Sequence, residues 1–332
     1  MKKYDVFAVG NALVDLEVEV TEEELQRFGV EKGVMTLIDE ERHHALMEHL
    51  QGTRHSRACG GSAANSIIAI SQLGGEAFYS CRVANDETGD FYLKDLNSHG
   101  VDTKQDAHRP DDVTGKCIVM ITPDADRSMN TYLGVTGDLG LDSLHHEAIK
   151  GSEFVYIEGY LVSAPLALEA ALAAKKLAED SSVKVAFSLS DPSMVNFFRE
   201  GIEALLHGGV DLLFCNEDEV LQYTQTDNLE DAIEKIKSVA KKFAITLGAK
   251  GALVWDGEKM LTIAPNRVDV VDTTGAGDMF AGAFIYALCR GYSMQQAGDL
   301  ASLASSHIVK KFGPRLNNEE VDPIRDYLSS FA

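Results

Sequence analysis

Residues 154–248 contain FVYIEG (154–159), PLALEAALAAKKLAED (165–180), VKVAFSL (183–189), VNFFREGIEALL (195–206), DLLFCN (211–216), LEDAIEKIKSVAKK (229–242) and FAITLG (243–248). Short apolar runs rich in Val, Ile and Phe alternate here with segments whose apolar residues recur at helical spacing. Strands separated by whole helices cannot pair as hairpins, so the pattern predicts parallel strands joined by right-handed crossovers. The fold class is therefore α/β, a mainly parallel sheet with helices on both faces. Ligands are expected beyond the carboxyl ends of its strands.

Working outward, YDVFAVG (4–10) is another apolar run ending in Gly, suited to a buried strand that feeds a loop. LEVEV (16–20) alternates apolar and acidic residues, the signature of a sheet with one wet face. GVMTLID (33–39), GKCIVMITP (115–123) and SMNTYLG (128–134) read as further strands, so a small second sheet is expected. Thr21 with Glu24 makes a capping box, and Asp39 can cap the helix that follows it.

Composition narrows the function. The 332 residues, 45% hydrophobic, can bury one large core with a small appended domain. A formal charge of -22 repels nucleic acid and anionic membranes, so neither is an expected partner. An anionic small ligand needs local backbone donors and a few cations. Cys59, Cys81, Cys117, Cys215 and Cys289 are scattered, with no C-x-x-C pair, and read as thiols in a reducing compartment. With no signal-like N-terminus and no membrane-length apolar run, a cytoplasmic protein is expected.

Three glycine-rich stretches carry the chemistry. DTTGAGD (272–278) lies between a β-branched run and a small-residue helical run. Gly275, Ala276 and Gly277 would expose N–H groups at a helix start and form an anion cradle, with Asp278 in the first turn beside it. The competing reading is a tight turn with a dipole-complementing Asp. CGGSAAN (59–65) offers Gly61, a capping Ser62, and Asn65 with both donor and acceptor, or else an ordinary helix start. GNALVDL (10–16) places Asn11 and Asp15 after the first strand, where a carboxylate can grip vicinal hydroxyls or simply face water. NEDE (216–219) sets Asn216 and Glu219 one turn apart, as for a hydrated Mg²⁺, or is an acidic helix start that only complements the dipole. TLGAKG, with Thr246, Gly248 and Gly251, is a strand and turn that can take a ribose or adenine, or a plain hairpin. Arg127, in the turn PDADR, could reach a phosphoryl group, although a lone surface arginine more often simply faces water. No Walker A loop, Rossmann fingerprint or histidine metal spacing occurs.

GGSAAN, NEDE, TLGAKG and DTTGAGD, in this order and spacing, resemble the ribokinase-like, or pfkB, family of carbohydrate and nucleoside kinases over nearly the whole chain. The resemblance implies a three-layer α/β/α ribokinase-like fold with a small β-sheet lid. It assigns 1–15, 40–112 and 136–332 to a large nucleotide-binding domain and 16–39 and 113–135 to the lid. It implies ATP and Mg²⁺ as cofactors, Asp278 as catalytic base, and Gly275, Ala276 and Gly277 as the anion hole. Arg127 is similar to a lid arginine that reaches the phosphates. Asp15, Gly61 and Asn65 resemble the residues that grip sugar hydroxyls, Asn216 and Glu219 those acting on Mg²⁺, and Gly248 and Gly251 the ATP-side turn. Asp272 and Thr274 match a K⁺ site of many members. GNALVDL, DRSMNTYLG and YIEGYLVS resemble the adenosine-kinase branch more than ribokinase or fructokinase, with Leu13, Leu37, Leu133 and Leu161 as a purine slot and Met35 and Tyr160 as departures. The expected reaction is transfer of the γ-phosphate of ATP to the 5′-hydroxyl of a purine nucleoside by a monomer or homodimer. A sugar kinase and a non-catalytic nucleotide binder are the alternatives.

Overall fold

Val6, Phe7, Ala8 and Val9 have no solvent exposure because β1 (Tyr4–Val9) lies inside the larger of two sheets. The computed structural model describes residues 2–50, 55–104, 108–124 and 126–329. The remaining strands are β2 (Leu13–Glu19), β3 (Met35–Leu37), β4 (His55–Gly60), β5 (Ala77–Ser80), β6 (Val101–Thr103), β7 (Lys116–Ile121), β8 (Arg127–Tyr132), β9 (Ser152–Glu158), β10 (Lys184–Ser188), β11 (Val210–Asn216), β12 (Ala240–Thr246), β13 (Ala252–Trp255) and β14 (Met260–Ile263). The large sheet runs β14-β13-β12-β11-β10-β9-β1-β5-β6, parallel except for the β12-β13-β14 hairpins. The small sheet runs β3-β8-β7-β2-β4.

Chain order reverses between β1 and β9. From β1 the sheet grows one way through β5 and β6, and from β9 the other way through β10, β11 and β12. Such a switch point opens a crevice outside the carboxyl ends of the strands. Asn11, Glu158, Ser188, Asn216 and Thr246 all stand at those ends.

One apolar core lies under the helices Ser62–Gln72, Ala276–Cys289 and Met294–Ile308, and a second under Pro165–Asp180 and its neighbours on the opposite face. The capping box at Thr21 and the Asp39 cap are both formed.

Three expectations need correction. The helix expected over 195–206 is two, Pro192–Phe197 and Arg199–Leu206, broken at Phe198. The helix expected over 229–242 stops at Ile236, because Ala240, Phe243, Ala244 and Ile245 are buried in β12 against β11 and pairing outweighs helix propensity. The partition that left residues 40–50 and 55–60 in the large domain also fails, since β4 pairs with β2 and Leu46 and Leu50 pack with Val18, Ile118 and Met120 of the small sheet. Ala125, within the expected PDADR turn, lies outside the described residues. Among the described residues no helix is long and apolar enough to cross a membrane.

Candidate active site

Gly282 fixes the distance between two helices. A Cβ there would lie 2.5 Å from the Ser66 carbonyl oxygen, so only glycine lets Ala276–Cys289 approach Ser62–Gln72 this closely. One turn earlier on each helix, Asp278 therefore meets Ser62 and Asn65. Ser62 Oγ donates to Asp278 Oδ1 at 2.5 Å and Asn65 Nδ2 donates to Oδ2 at 2.9 Å. Burial raises the Asp278 carboxyl above the usual range, opposed by these two hydrogen bonds and by the charge of Arg315. Ser62 is thus not the helix cap. Gly61 takes that place with a positive φ of 96° and no side-chain bond, because a Cβ there would lie 2.3 Å from the Asn11 carbonyl oxygen.

Asp278 faces a cavity of about 830 Å³ between the two sheets. Its lining includes Asn11, Asp15, Gly61 and Asn65 on the acceptor side and Gly275 and Gly277 at the helix start. Gly275 is the N-cap with φ 73°, and Gly277, in the first turn, has no intrahelical acceptor for its N–H. Ala276 departs from the expected cradle: its N–H donates to the Thr273 carbonyl at 3.1 Å, and it is absent from the lining. Asp15, on β2, lies against Gly60, where a Cβ would come within 2.3 Å of its Oδ2. Burial pushes the Asp15 carboxyl up to about 7, against the pull of Arg315 and Arg127.

The small sheet brings both polar and apolar side chains to the cavity, Asp15, Arg127 and Thr131 among the polar ones. Its apolar wall is Leu13, Leu37 and Leu133 with Met35, Val119 and Met129, and Tyr160 also lines the cavity. Leu161 does not belong to this wall. It is 0% exposed within the core of the large domain, because the 3-10 turn Gly159–Ser163 points it inward.

Arg127, on β8 of the small sheet, reaches across to the large domain. Its Nη2 donates to Asp272 Oδ2 at 2.6 Å, and its Nη1 lies 3.4 Å from Glu17 Oε1. Asp272 Oδ2 also accepts from the Gly313 N–H and its Oδ1 from the Thr274 N–H. Asn216 and Glu219 form a reciprocal capping box: Glu219 accepts from the Asn216 backbone and side chain, while Asn216 Oδ1 accepts from the Glu219 N–H. Burial raises Glu219 to about 7. Thr246 lines the cavity, but Gly248 and Gly251 do not. Gly251 is required by the β12-β13 turn, since at φ 92° a Cβ would lie 2.1 Å from the Ile263 carbonyl oxygen. Among the described residues no cluster of three or more His, Cys, Asp or Glu side chains could hold a metal by itself.

Two site residues escape sequence reasoning. Glu158 ends β9 with 0% exposure and staples the acceptor loop to a helix start: its Oε1 accepts from the Asn11 N–H at 2.6 Å and its Oε2 from the Ala63 N–H at 2.7 Å. Its signal was a carboxylate closing the apolar run FVYI of that strand. The second residue is Arg315, whose Nε donates to Asn65 Oδ1 at 3.1 Å.

Burial outweighs the two hydrogen bonds at Glu158 and raises it from 4.5 to about 7. A raised carboxylate pKa means that the folded protein holds a proton that the unfolded chain has released, so stability falls as pH rises from about 4.5 through 7. Thermal denaturation of the ligand-free protein at pH 5 and pH 8 is expected to show a smaller decline in Tm for Glu158→Gln than for the wild type. Equal declines would exclude Glu158 as a source.

The chain is 26% identical to adenosine kinase of Schizosaccharomyces pombe, over 95% of this chain and 97% of that protein. The solved structure of a probable sugar kinase from Rhizobium etli CFN 42 is 33% identical, covers 97% of this chain and 99% of its own, and superposes with a TM-score of 0.91. Adenosine kinase from Sinorhizobium meliloti is likewise 33% identical, over 98% of this chain and 99% of its own, with a TM-score of 0.90. The model of the pfkB family carbohydrate kinases matches residues 32–321, and with the switch-point crevice, the small sheet over it and the carboxylate at the glycine-capped helix, this chain is a kinase of that family.

Proposed function

We propose that the protein transfers the γ-phosphoryl group of Mg·ATP to the 5′-hydroxyl of a purine nucleoside, with adenosine as the acceptor. The observation that carries this reading is the pairing, across one cavity, of a hydrogen-bonded Asp278 with an apolar wall of Leu13, Leu37, Leu133 and Met35. A flat purine would displace water from that wall, while Asp15, Asn65, Asn11 and the Gly61 backbone hold the ribose hydroxyls. Asp278 takes the proton of the 5′-hydroxyl as its oxygen attacks in line.

Gly275, Gly277 and the helix N-terminus lie where negative charge develops on the transferring group, and Arg127 swings from Asp272 to the phosphates. Asn216 and Glu219 would act on Mg²⁺ through its water shell, which suits a pair already committed to a capping box. Thr246 lies beside the nucleotide. A monovalent cation fits Asp272 and Thr274 once the guanidinium has left the carboxylate, and would there supply fixed positive charge beside the cradle. The cysteines, none in a disulfide, support a reducing, cytoplasmic setting.

A free sugar is the second reading, because Asp15, Asn11, Asn65 and Glu158 make a polar acceptor floor that needs no base to fill it. The test is ADP release from Mg·ATP with adenosine, inosine, guanosine, ribose and fructose, each in K⁺ and in Na⁺. Adenosine is expected to turn over fastest and K⁺ to stimulate. Turnover confined to a free sugar would reduce the lid leucines to packing, and an equal rate in both salts would leave Asp272 to Arg127 alone.

A further inference from the structure

Asn65 carries an amide whose two ends are interchangeable in shape and opposite in chemistry. Donation from Nδ2 to Asp278 requires that Oδ1 face the other way, toward a donor. That donor is Arg315, which comes from the C-terminal segment 250 residues away in sequence. Its Nη1 is bonded to Asp95 on the helix Glu87–Ser98, and Nη2 is buried with no hydrogen-bond partner among the described residues. The segment is pinned by Gln72, whose Nε2 donates to the Leu316 carbonyl at 2.6 Å, and by Leu316 itself, 3% exposed. A partly buried guanidinium with one anchor on Asp95 and one on Asn65 is a fixed fork.

We propose that Arg315 is a positioning residue for phosphoryl transfer: it sets the orientation of the Asn65 amide, so that Asn65 donates to Asp278, and it places a permanent positive charge behind both Asp278 and Asp15. The proposal rests on the reading of Asp278 as the base. The other titratable groups facing Asp278 are Asp15, Glu158, Tyr156 and Tyr160, so Arg315 is the cation opposing two neighbouring carboxyls and burial. Arg315 itself is faced by Asp95, Asp15, Asp278, Tyr92 and Cys59.

The base works ionised, so the acid limb of kcat/KM marks its protonation. Loss of a nearby cation favours the protonated form and moves that limb to higher pH. For Arg315→Met the expected move is about one pH unit, with kcat at the optimum down about tenfold or more. Arg315→Lys keeps the charge but cannot span Asn65 and Asp95 together, so its limb should stay near that of the wild type while kcat falls. An unmoved limb in Arg315→Met overturns the proposal. If that variant does not fold, wild-type kcat in Arg315→Lys overturns it instead. Asp278→Asn measured alongside separates two failures: retained turnover there removes the base reading and this proposal together, whereas an inactive Asp278→Asn beside an unmoved Arg315→Met limb removes this proposal alone.

Discussion

Asp278→Asn is expected to lower kcat by at least about a thousandfold while acceptor and ATP still bind, since general-base catalysis contributes about 10²- to 10⁴-fold and the amide cannot take the proton. The substitution is nearly isosteric. The new amide keeps an oxygen for Ser62 or for Asn65, so the helix contact set by Gly282 persists and Tm should change little. Single-turnover phosphoryl transfer, read beside equilibrium binding of adenosine, separates chemistry from affinity. Near-wild-type turnover would remove Asp278 from the role of base and leave the cradle and the helix dipole as the sources of rate. The sign with pH follows from burial. A carboxyl held above its ordinary range ionises at higher pH than an exposed aspartate, so the acid limb of wild-type kcat/KM should lie on the high side of the ordinary aspartate range.

How much of this was legible in the sequence depended on whether the signal was local. DTTGAGD could be read because its ingredients are adjacent in the chain: a glycine that accepts φ 73°, open positions beside it, and a carboxylate one turn in. The parallel sheet was legible because buried strands such as β9 and β11 carry continuous apolar runs, FVYI and LLFC. β4 was not, since HSRACG has neither alternation nor β-branched residues, and it is a strand because β2 pairs with it at an edge. Leu161 was misplaced for a related reason. An apolar residue beside a site suits a slot or a core equally, and only the turn at Gly159–Ser163 decides which way it points.

Polar residues failed differently. Ser62 has the right chemistry for a cap, but the positive φ of Gly61 moves the cap back by one residue and leaves the hydroxyl for Asp278. Glu158 was hidden within the strand that it ends, and its task is visible only once Asn11 and Ala63, far apart in the chain, are seen to share it. Arg315 had no local signal at all. Its meaning is a three-body arrangement with Asn65 and Asp95, and no window of sequence contains all three.

Gly277→Ala separates a structural glycine from a functional one. Gly277 is helical, and a Cβ built there meets nothing within 4 Å, so the fold has no need of glycine at this position. Alanine should raise helix stability by about 0.5–1 kcal/mol, which means equal or higher Tm. Gly277 lines the cavity, and its N–H has no intrahelical acceptor. If the transferring phosphoryl group sits against that N–H, the new methyl occupies part of its seat. The group then stands off by a fraction of an ångström, and kcat should fall about a hundredfold, in the range lost with one oxyanion donor. Gly275→Ala makes a poor comparison, because φ is positive there and a Cβ would lie 2.5 Å from Pro314 Cβ, so lost activity would reflect a broken loop. Differential scanning calorimetry and steady-state kinetics on Gly277→Ala decide the matter. Raised Tm with collapsed kcat means that the open space at Gly277 is reserved for substrate. Raised Tm with full activity would move the anion away from this helix start and return DTTGAGD to an ordinary turn with an acidic residue in the first turn of its helix.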